Sequence, residues 1–396
     1  MALEALVGML FLLIGFSAVA SDQPTLHQVV VGTVRNLPKL REREVLQQVA
    51  SSWRRRGSFW LAGPTTLETS FEHFPERESW SGGLDITFTL WKWNQKGSAL
   101  AVSERAGELP HLFDRLLQWE AAGLVRRLVW QIKVQEVKFR FSQRRLEIAK
   151  ELLETVKRLV AAGELGRRDL LLARGEYLER LMDHDRAEVE RVHIHHTYQL
   201  LTGFTTLPQK IEEPLSSRES LLPDHPLLAF LQAKVELFRA RSHYARFESS
   251  TGDQQAFLRI GSRHLKGGEH GFALSLSYPL GASPYNAPNI AEQRRAWIEA
   301  EVELGEAERS LKLELEELLH RLHLDRLQLE RAREQRELAE RQLRLARELF
   351  TAGELDLLDL LRLQERAFEA LETAELAEIG YRRDVARYNQ LVGEIP

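Results

Sequence analysis

The chain has 396 residues, enough for two or three domains of about 100–200 residues each. Its 54 basic side chains are outnumbered by 58 acidic ones, so it lacks the positive excess that grips a nucleic-acid backbone. It has no cysteine, which excludes disulfides, thiolate metal sites, a cysteine nucleophile and a lipidated N-terminal Cys. Leu, Glu, Arg and Ala dominate, the composition of long helices and coiled coils.

The first segment reads as a leader. Ala5 to Ala20 is an apolar stretch ending in Ala18-Val19-Ala20, an A-x-A cleavage pattern, and it is too short to span a bilayer comfortably. A secretory signal peptide over 1–20 is expected, although the n-region carries Glu4 and no Lys or Arg. The competing reading is a retained N-terminal anchor helix.

The rest of the chain is written twice. Gly163, Glu164 and Leu165 recur as Gly353, Glu354 and Leu355, and Asp169, Leu170 and Leu171 recur as Asp359, Leu360 and Leu361. The same offset carries Tyr198, Leu201 and Gly203 onto Tyr388, Leu391 and Gly393. The front halves match at an offset two residues shorter, with Pro38 on Pro226 and Gly83 on Gly271. Such a register points to duplication. Each half is expected to run short helix, two strands, long helix, GEL turn, shorter helix. The division is a first repeat over 21–203, a polar, Pro-marked linker over 204–222 and a second repeat over 223–396.

In the first half, Leu84, Ile86, Phe88 and Leu90 alternate with Asp85, Thr87 and Thr89. In the second, Phe272, Leu274 and Leu276 alternate with Ala273, Ser275 and Ser277. Period 2 over seven residues predicts half-buried strands. Weaker partners precede them around 66–74 and 255–264. PERESWSGG and LKGGEHG are then the connecting hairpin loops.

The second long helix, from Pro288 to Thr351, contains Gly305 as its one glycine. About 64 residues at about 1.5 Å each make a rod of roughly 95 Å. Its apolar seam is spaced 4,3: Leu311, Leu315, Leu318, Leu322, Leu329, Ala332, Ala339, Leu343, Ala346, Phe350. Asp325 and Arg336 break it. This period predicts coiled-coil packing. In the first copy Pro110 interrupts the start of the helix.

Strands with one apolar face, in an exported chain with helices longer than any sandwich needs, fit an outer-membrane barrel. Four strands cannot close around water, but four from each of three chains can. Trp91, Trp93, Tyr278 and Tyr285 cluster at the helical end of the strands, and Phe71, Phe74 and Trp80 near the loop end, like two interfacial girdles. An ordinary aromatic core is the competing reading. No G-x-S-x-G, P-loop or H-E-x-x-H motif points to an enzyme, and no cofactor is expected.

The duplicated plan, the two GEL…DLL turns, the LTG ending of the first half and the LSLSYPLG strand resemble the TolC-like outer-membrane efflux proteins. The resemblance covers nearly all of the chain beyond the leader. It implies a mainly α protein with a small β part. It implies a homotrimer, a twelve-stranded barrel set in outer-membrane lipid, and a long periplasmic helical tunnel. It implies an exit duct coupled through a periplasmic adaptor to an inner-membrane resistance-nodulation-division pump. The AAGELGRRDLLLARGEYL stretch is most similar to the heavy-metal branch. Gly163, Glu164 and Asp169 would form one periplasmic tip, and Gly353, Glu354, Asp356, Asp359 and Arg362 the other. In relatives, acids just after the second turn ring the closed aperture, and Asp359 matches such a position. A ring pairing Asp359 with Arg362 would lock the gate; a solvated i,i+3 pair is an equal alternative. Leu84, Ile86, Phe88, Leu90, Phe272, Leu274 and Leu276 would face lipid. His193, His195 and His196, and the i,i+3 pair His320 and His323, are candidate metal ligands, but solvated or interhelical histidines are the plainer expectation. A periplasmic coiled-coil adaptor or scaffold is the alternative function. It usually needs one helical hairpin, and this chain has two.

Overall fold

In a computed structural model the described residues are 23–74, 79–248, 255–265, 269–280 and 286–396. The expected leader and Tyr285 lie outside them, as does the Phe74 side chain.

The elements run α1 (Leu26–Val34), α2 (Leu40–Ser58), β1 (Thr66–Phe74), β2 (Ser79–Leu90), α3 (Gln95–Ala162), α4 (Arg167–Thr202), α5 (Pro226–Ala245), β3 (Ala256–Leu265), β4 (Glu269–Ser277), α6 (Ala287–Thr351) and α7 (Leu357–Val392). The fold is mainly helical with a small antiparallel sheet. The sequence of elements from α2 to α4 is repeated from α5 to α7. α1 is extra to the expected plan. No described helix is long and apolar enough to cross a membrane.

Three local readings are corrected. α3 runs unbroken through Pro110. A helical proline loses its hydrogen bond to the carbonyl four residues back. Here Ala106, Leu109 and Phe113 are buried around it, so packing outweighs the missing bond. The two expected hairpin loops are cut back, because Ser79–Gly83 belong to β2 and Glu269–Gly271 to β4, while residues 75–78 and 266–268 lie outside the described residues. The ladder extends because the glycines leave space for their neighbours. Phe71 pairs with Gly82, and a Cβ on Gly83 would lie 2.5 Å from Ser70 Oγ.

The chain divides into two compact units. The first holds residues 23–33, 125–212 and 396. In it Val29 and Val30 are fully buried, and the Phe204 ring takes the space that a Cβ on Gly32 would need. Arg180 is buried between Glu176 at 2.6 Å and Asp183 at 3.2 Å, all on α4.

The second unit holds the described residues of 34–124 and 213–395. Along α6 the seam positions Leu311, Leu315, Leu318, Leu322, Leu329, Ala332, Ala339, Leu343 and Ala346 are all buried, as the 4,3 spacing predicts. The upper seam packs on Val385, Tyr388, Leu391 and Val392 of α7. At the seam break, burial and the nearby Asp384 carboxylate raise the Asp325 carboxyl above its usual range. Asp384 is itself buried, with Arg383 Nε at 2.8 Å.

The segment from Pro214 to Arg218, at the start of this unit's second stretch, is strapped down rather than loose. Asn389 Oδ1 accepts from the Ser216 backbone at 3.0 Å, and Asn389 Nδ2 donates to the Pro214 carbonyl at 2.9 Å. The Tyr388 hydroxyl donates to the Arg218 carbonyl. Trp119 and Gln390 exchange side-chain to backbone hydrogen bonds at 2.8 and 2.7 Å. The His225 ring packs edge-on to Trp119 and is fully buried. Burial pushes its pKa down to about 4, against the opposing pull of the Leu391 backbone and the Asp224 carboxylate.

Candidate functional site: one sheet and two turns

The four strands form one antiparallel sheet in the order β1-β2-β3-β4, so β1 and β4 are open edges. The register aligns like with like. Ile86 sits opposite Ile260, which sits opposite Leu274; Phe88, Leu258 and Leu276 form the next row. Side chains in register share a face. That face is apolar, and it is bare: Phe272 is 86% exposed, Leu274 74% and Leu276 69%. Soluble proteins rarely expose apolar side chains contiguously. Leu84, Ile86, Phe88 and Leu90 lie on this face with Leu67 and Phe71 of β1.

The other face is polar. Asp85 pairs with Glu68 on one side and Gly261 on the other. A Cβ on Gly261 would lie 2.2 Å from Asp85 Oδ1, so the glycine makes room for the carboxylate. Arg259 Nε donates to Thr87 Oγ1 at 3.2 Å.

The strand ends meet a helical collar. Trp53 of α2 packs edge-on to Tyr244 of α5, and the Arg56 guanidinium lies over both rings. Tyr244 joins a core with Ala99, Val102, Ala106 and Leu237. Asn286 Nδ2 donates to the Ala245 carbonyl at 2.6 Å, tying the start of α6 to the end of α5. The expected aromatic cluster divides here. Trp93 is 81% exposed, and its backbone N–H donates to the Tyr278 hydroxyl at 3.0 Å. Trp91 instead packs against the collar core and donates from Nε1 to the Phe59 carbonyl at 3.1 Å. Phe59 and Trp60, absent from the sequence reading, extend the exposed aromatic row toward Phe88. Their signal was an aromatic pair just upstream of the first strand. At the other end, Phe71 stacks on Trp80 with ring centroids 6.0 Å apart.

The two turns have one backbone. Gly163 and Gly353 have φ of 80° and 75°, where only glycine is at ease. The Glu164 N–H donates to Leu159 and the Glu354 N–H to Leu349, both at 2.9 Å. The Gly163 and Gly353 N–H groups donate to Val160 and Phe350, both at 3.1 Å. This is the Schellman closure of a helix. The helices that follow are capped differently. Before α4 the N-cap is Gly166, and Asp169 Oδ2 reaches back to its N–H at 3.1 Å. Before α7 the N-cap is Asp356, whose Oδ1 accepts from the Asp359 N–H at 2.8 Å. Asp359 therefore has no capping bond to make, and its carboxylate lies 3.5 Å from Arg362 on the exposed surface.

The helical histidines do not converge. His193 and His196 are exposed on α4, and His195 lies 3.9 Å from Glu136. His320 and His323 are exposed on α6. Among the described residues no three His, Asp or Glu side chains come together as a metal site.

No protein-family model and no curated protein matches this sequence. Solved structures do. The chain is similar to the Campylobacter jejuni CmeC outer membrane channel, with a TM-score of 0.74, 15% identity and coverage of 94% of this chain and 86% of that one. It is similar to the outer membrane protein VceC of Vibrio cholerae, with a TM-score of 0.73, 13% identity and coverage of 94% and 97%. It is similar to CusC, with a TM-score of 0.62, 16% identity and coverage of 93% and 92%. The chain has the fold of these TolC-like outer-membrane channels, which agrees with the resemblance in the duplicated turns and strands.

Proposed function

We propose that this chain is one protomer of a trimeric outer-membrane channel, the passive exit duct of a tripartite efflux system. The bare apolar face of the sheet carries the reading. Solvent is a poor partner for Phe272, Leu274 and Leu276, and bilayer hydrocarbon is a good one. The open β1 and β4 edges would pair with neighbouring chains, four strands from each of three, and close a twelve-stranded barrel. Asp85, Thr87 and Arg259 on the polar face would line its lumen. Leu84, Ile86, Phe88 and Leu90 would face lipid with the β4 residues.

The helices supply a second argument. Beyond the buried seam, α6 exposes Val302, Leu313, Leu324, Leu327, Leu338 and Leu345 along its length. These suit packing against another copy of this chain in a helical tunnel. The tunnel would stand in the periplasm and meet a periplasmic adaptor and a resistance-nodulation-division pump at the GEL turns. Glu164 and Glu354 are exposed there. Three copies of Asp359 near the axis would favour cations at the mouth. Metal ions and drugs are both small enough cargo. A soluble adaptor would have no use for a bare apolar sheet face.

The absence of cysteine gives a clean test. Phe88→Cys should react with a lipid-confined probe and Thr87→Cys with a water-soluble probe. The reverse pattern sinks the barrel orientation. In mild detergent the extracted chain should be a trimer; a stable monomer with full β content sinks the channel.

A further inference from the structure

We propose that His264 and His270 form a two-imidazole site for a borderline divalent metal ion, zinc foremost, on the β3–β4 hairpin. The two residues are direct cross-strand partners, so their side chains stand on the same face. Their Nδ1 atoms are 3.3 Å apart and their ring centroids 4.5 Å apart. Two nitrogens bound to one tetrahedral ion at about 2.0–2.1 Å are separated by about 3.3–3.4 Å. The pair is thus set at the ligand spacing before any ion arrives. Without metal, one ring donates its Nδ1 proton to the other; on binding, that proton passes through water to the same ring's Nε2, leaving both Nδ1 lone pairs for the ion. The Trp80 ring lies 5.6 Å from His264 and limits its movement.

The rest of the ion's shell comes from water. Glu269 is the nearest acid in sequence, but it pairs with Leu265, one step from the His264–His270 row, and so stands on the opposite face. His73, though on the same face, belongs to β1, with β2 between it and the pair. Two protein ligands make an exchangeable site rather than a structural one. The imidazoles select zinc, copper or nickel over magnesium or calcium. The site lies at the hairpin end of the strands, away from the collar. It does not depend on the duct reading; the pair shares the face of Phe272 and Leu274, so in a barrel it would stand on the outer wall, past the apolar rows at the hairpin end.

The test uses the full chain without an affinity tag, in detergent, titrated with Zn2+ by calorimetry at pH 7.5. We expect one saturable site, weakened at least about tenfold in His264→Ala and in His270→Ala. A chain carrying His193→Ala, His195→Ala and His196→Ala together should bind as the parent does. Zn2+ should also slow amide exchange in β3 and β4 of the parent and leave both single variants unchanged, each first checked for parental circular dichroism. Equal affinity in parent and His270→Ala overturns the site. So does loss of binding in the triple variant alone, or an exchange pattern that zinc leaves untouched.

Discussion

At both turns a glycine of positive φ ends the long helix, and the same pair of backbone bonds closes it. What differs is the carboxylate that starts the helix beyond. Gly166 has no side chain to cap with, so Asp169 reaches back; Asp356 caps directly, and Asp359 is released. The comparison teaches which demands are rigid. A left-handed backbone accepts only glycine cheaply, whereas an N-terminal N–H can be met from either of two positions. The second half of the chain departs from the first elsewhere too. It buries His225 and Asp384 where the corresponding first-half positions carry Leu37 and Ile194.

The sharpest test of that divergence is acid. His225 has a folded pKa of about 4, below its usual 6.5, so the unfolded chain binds the proton first. Stability from neutrality at this site is full above pH 6.5, falls as pH drops toward 4, and then levels off. The loss amounts to about 3 kcal/mol at about 1.4 kcal/mol per pH unit. His225→Leu, which restores the first-half residue type, should flatten this part of the pH profile in thermal unfolding followed by circular dichroism. An unchanged slope would show that the acid lability lies elsewhere.

The shared backbone is tested next. Gly163→Ala and Gly353→Ala should each cost about 1–2 kcal/mol. Beyond the adjoining residues no atom lies within 4 Å of an added Cβ at either turn, so the cost is conformational and should be nearly equal. A large difference in melting temperature between the two variants would break the equivalence.

The smallest effects separate the carboxylates. Asp356→Ala should cost about 1 kcal/mol as a lost N-cap, and Asp169→Ala somewhat less. Asp359→Ala should cost under about 0.5 kcal/mol, since its pair with Arg362 is exposed. In planar bilayers the order should invert: Asp359→Ala lowers cation preference and loosens the aperture, and Asp169→Ala does less. Parental conductance and selectivity in Asp359→Ala would leave that residue as a plain helix-start acid.

Much of this was legible in the sequence because its physics is local or periodic. The Leu311–Ala346 seam and the Leu84–Leu90 alternation are periods that burial and pairing then follow. The glycines of the GEL turns announce their φ. Pro110 misled because helix propensity is weak beside the packing of Ala106, Leu109 and Phe113. Ser79–Gly83 misled because their turn-like composition is overruled by the opposing strand. His264 and His270 were invisible as a pair because pairing across a hairpin depends on register.

The open edges of the sheet have a genetic consequence. In the proposed trimer, each chain's β1 would complete the β4 edge of a neighbour, so a chain with a spoiled β1 edge disables its partners as well as itself. If a cell makes normal and edge-spoiled chains in equal amounts and they mix freely, only about one trimer in eight is wholly normal. Edge-strand alleles should therefore be dominant, whereas an allele that destroys the whole fold, and so never joins a ring, should be recessive.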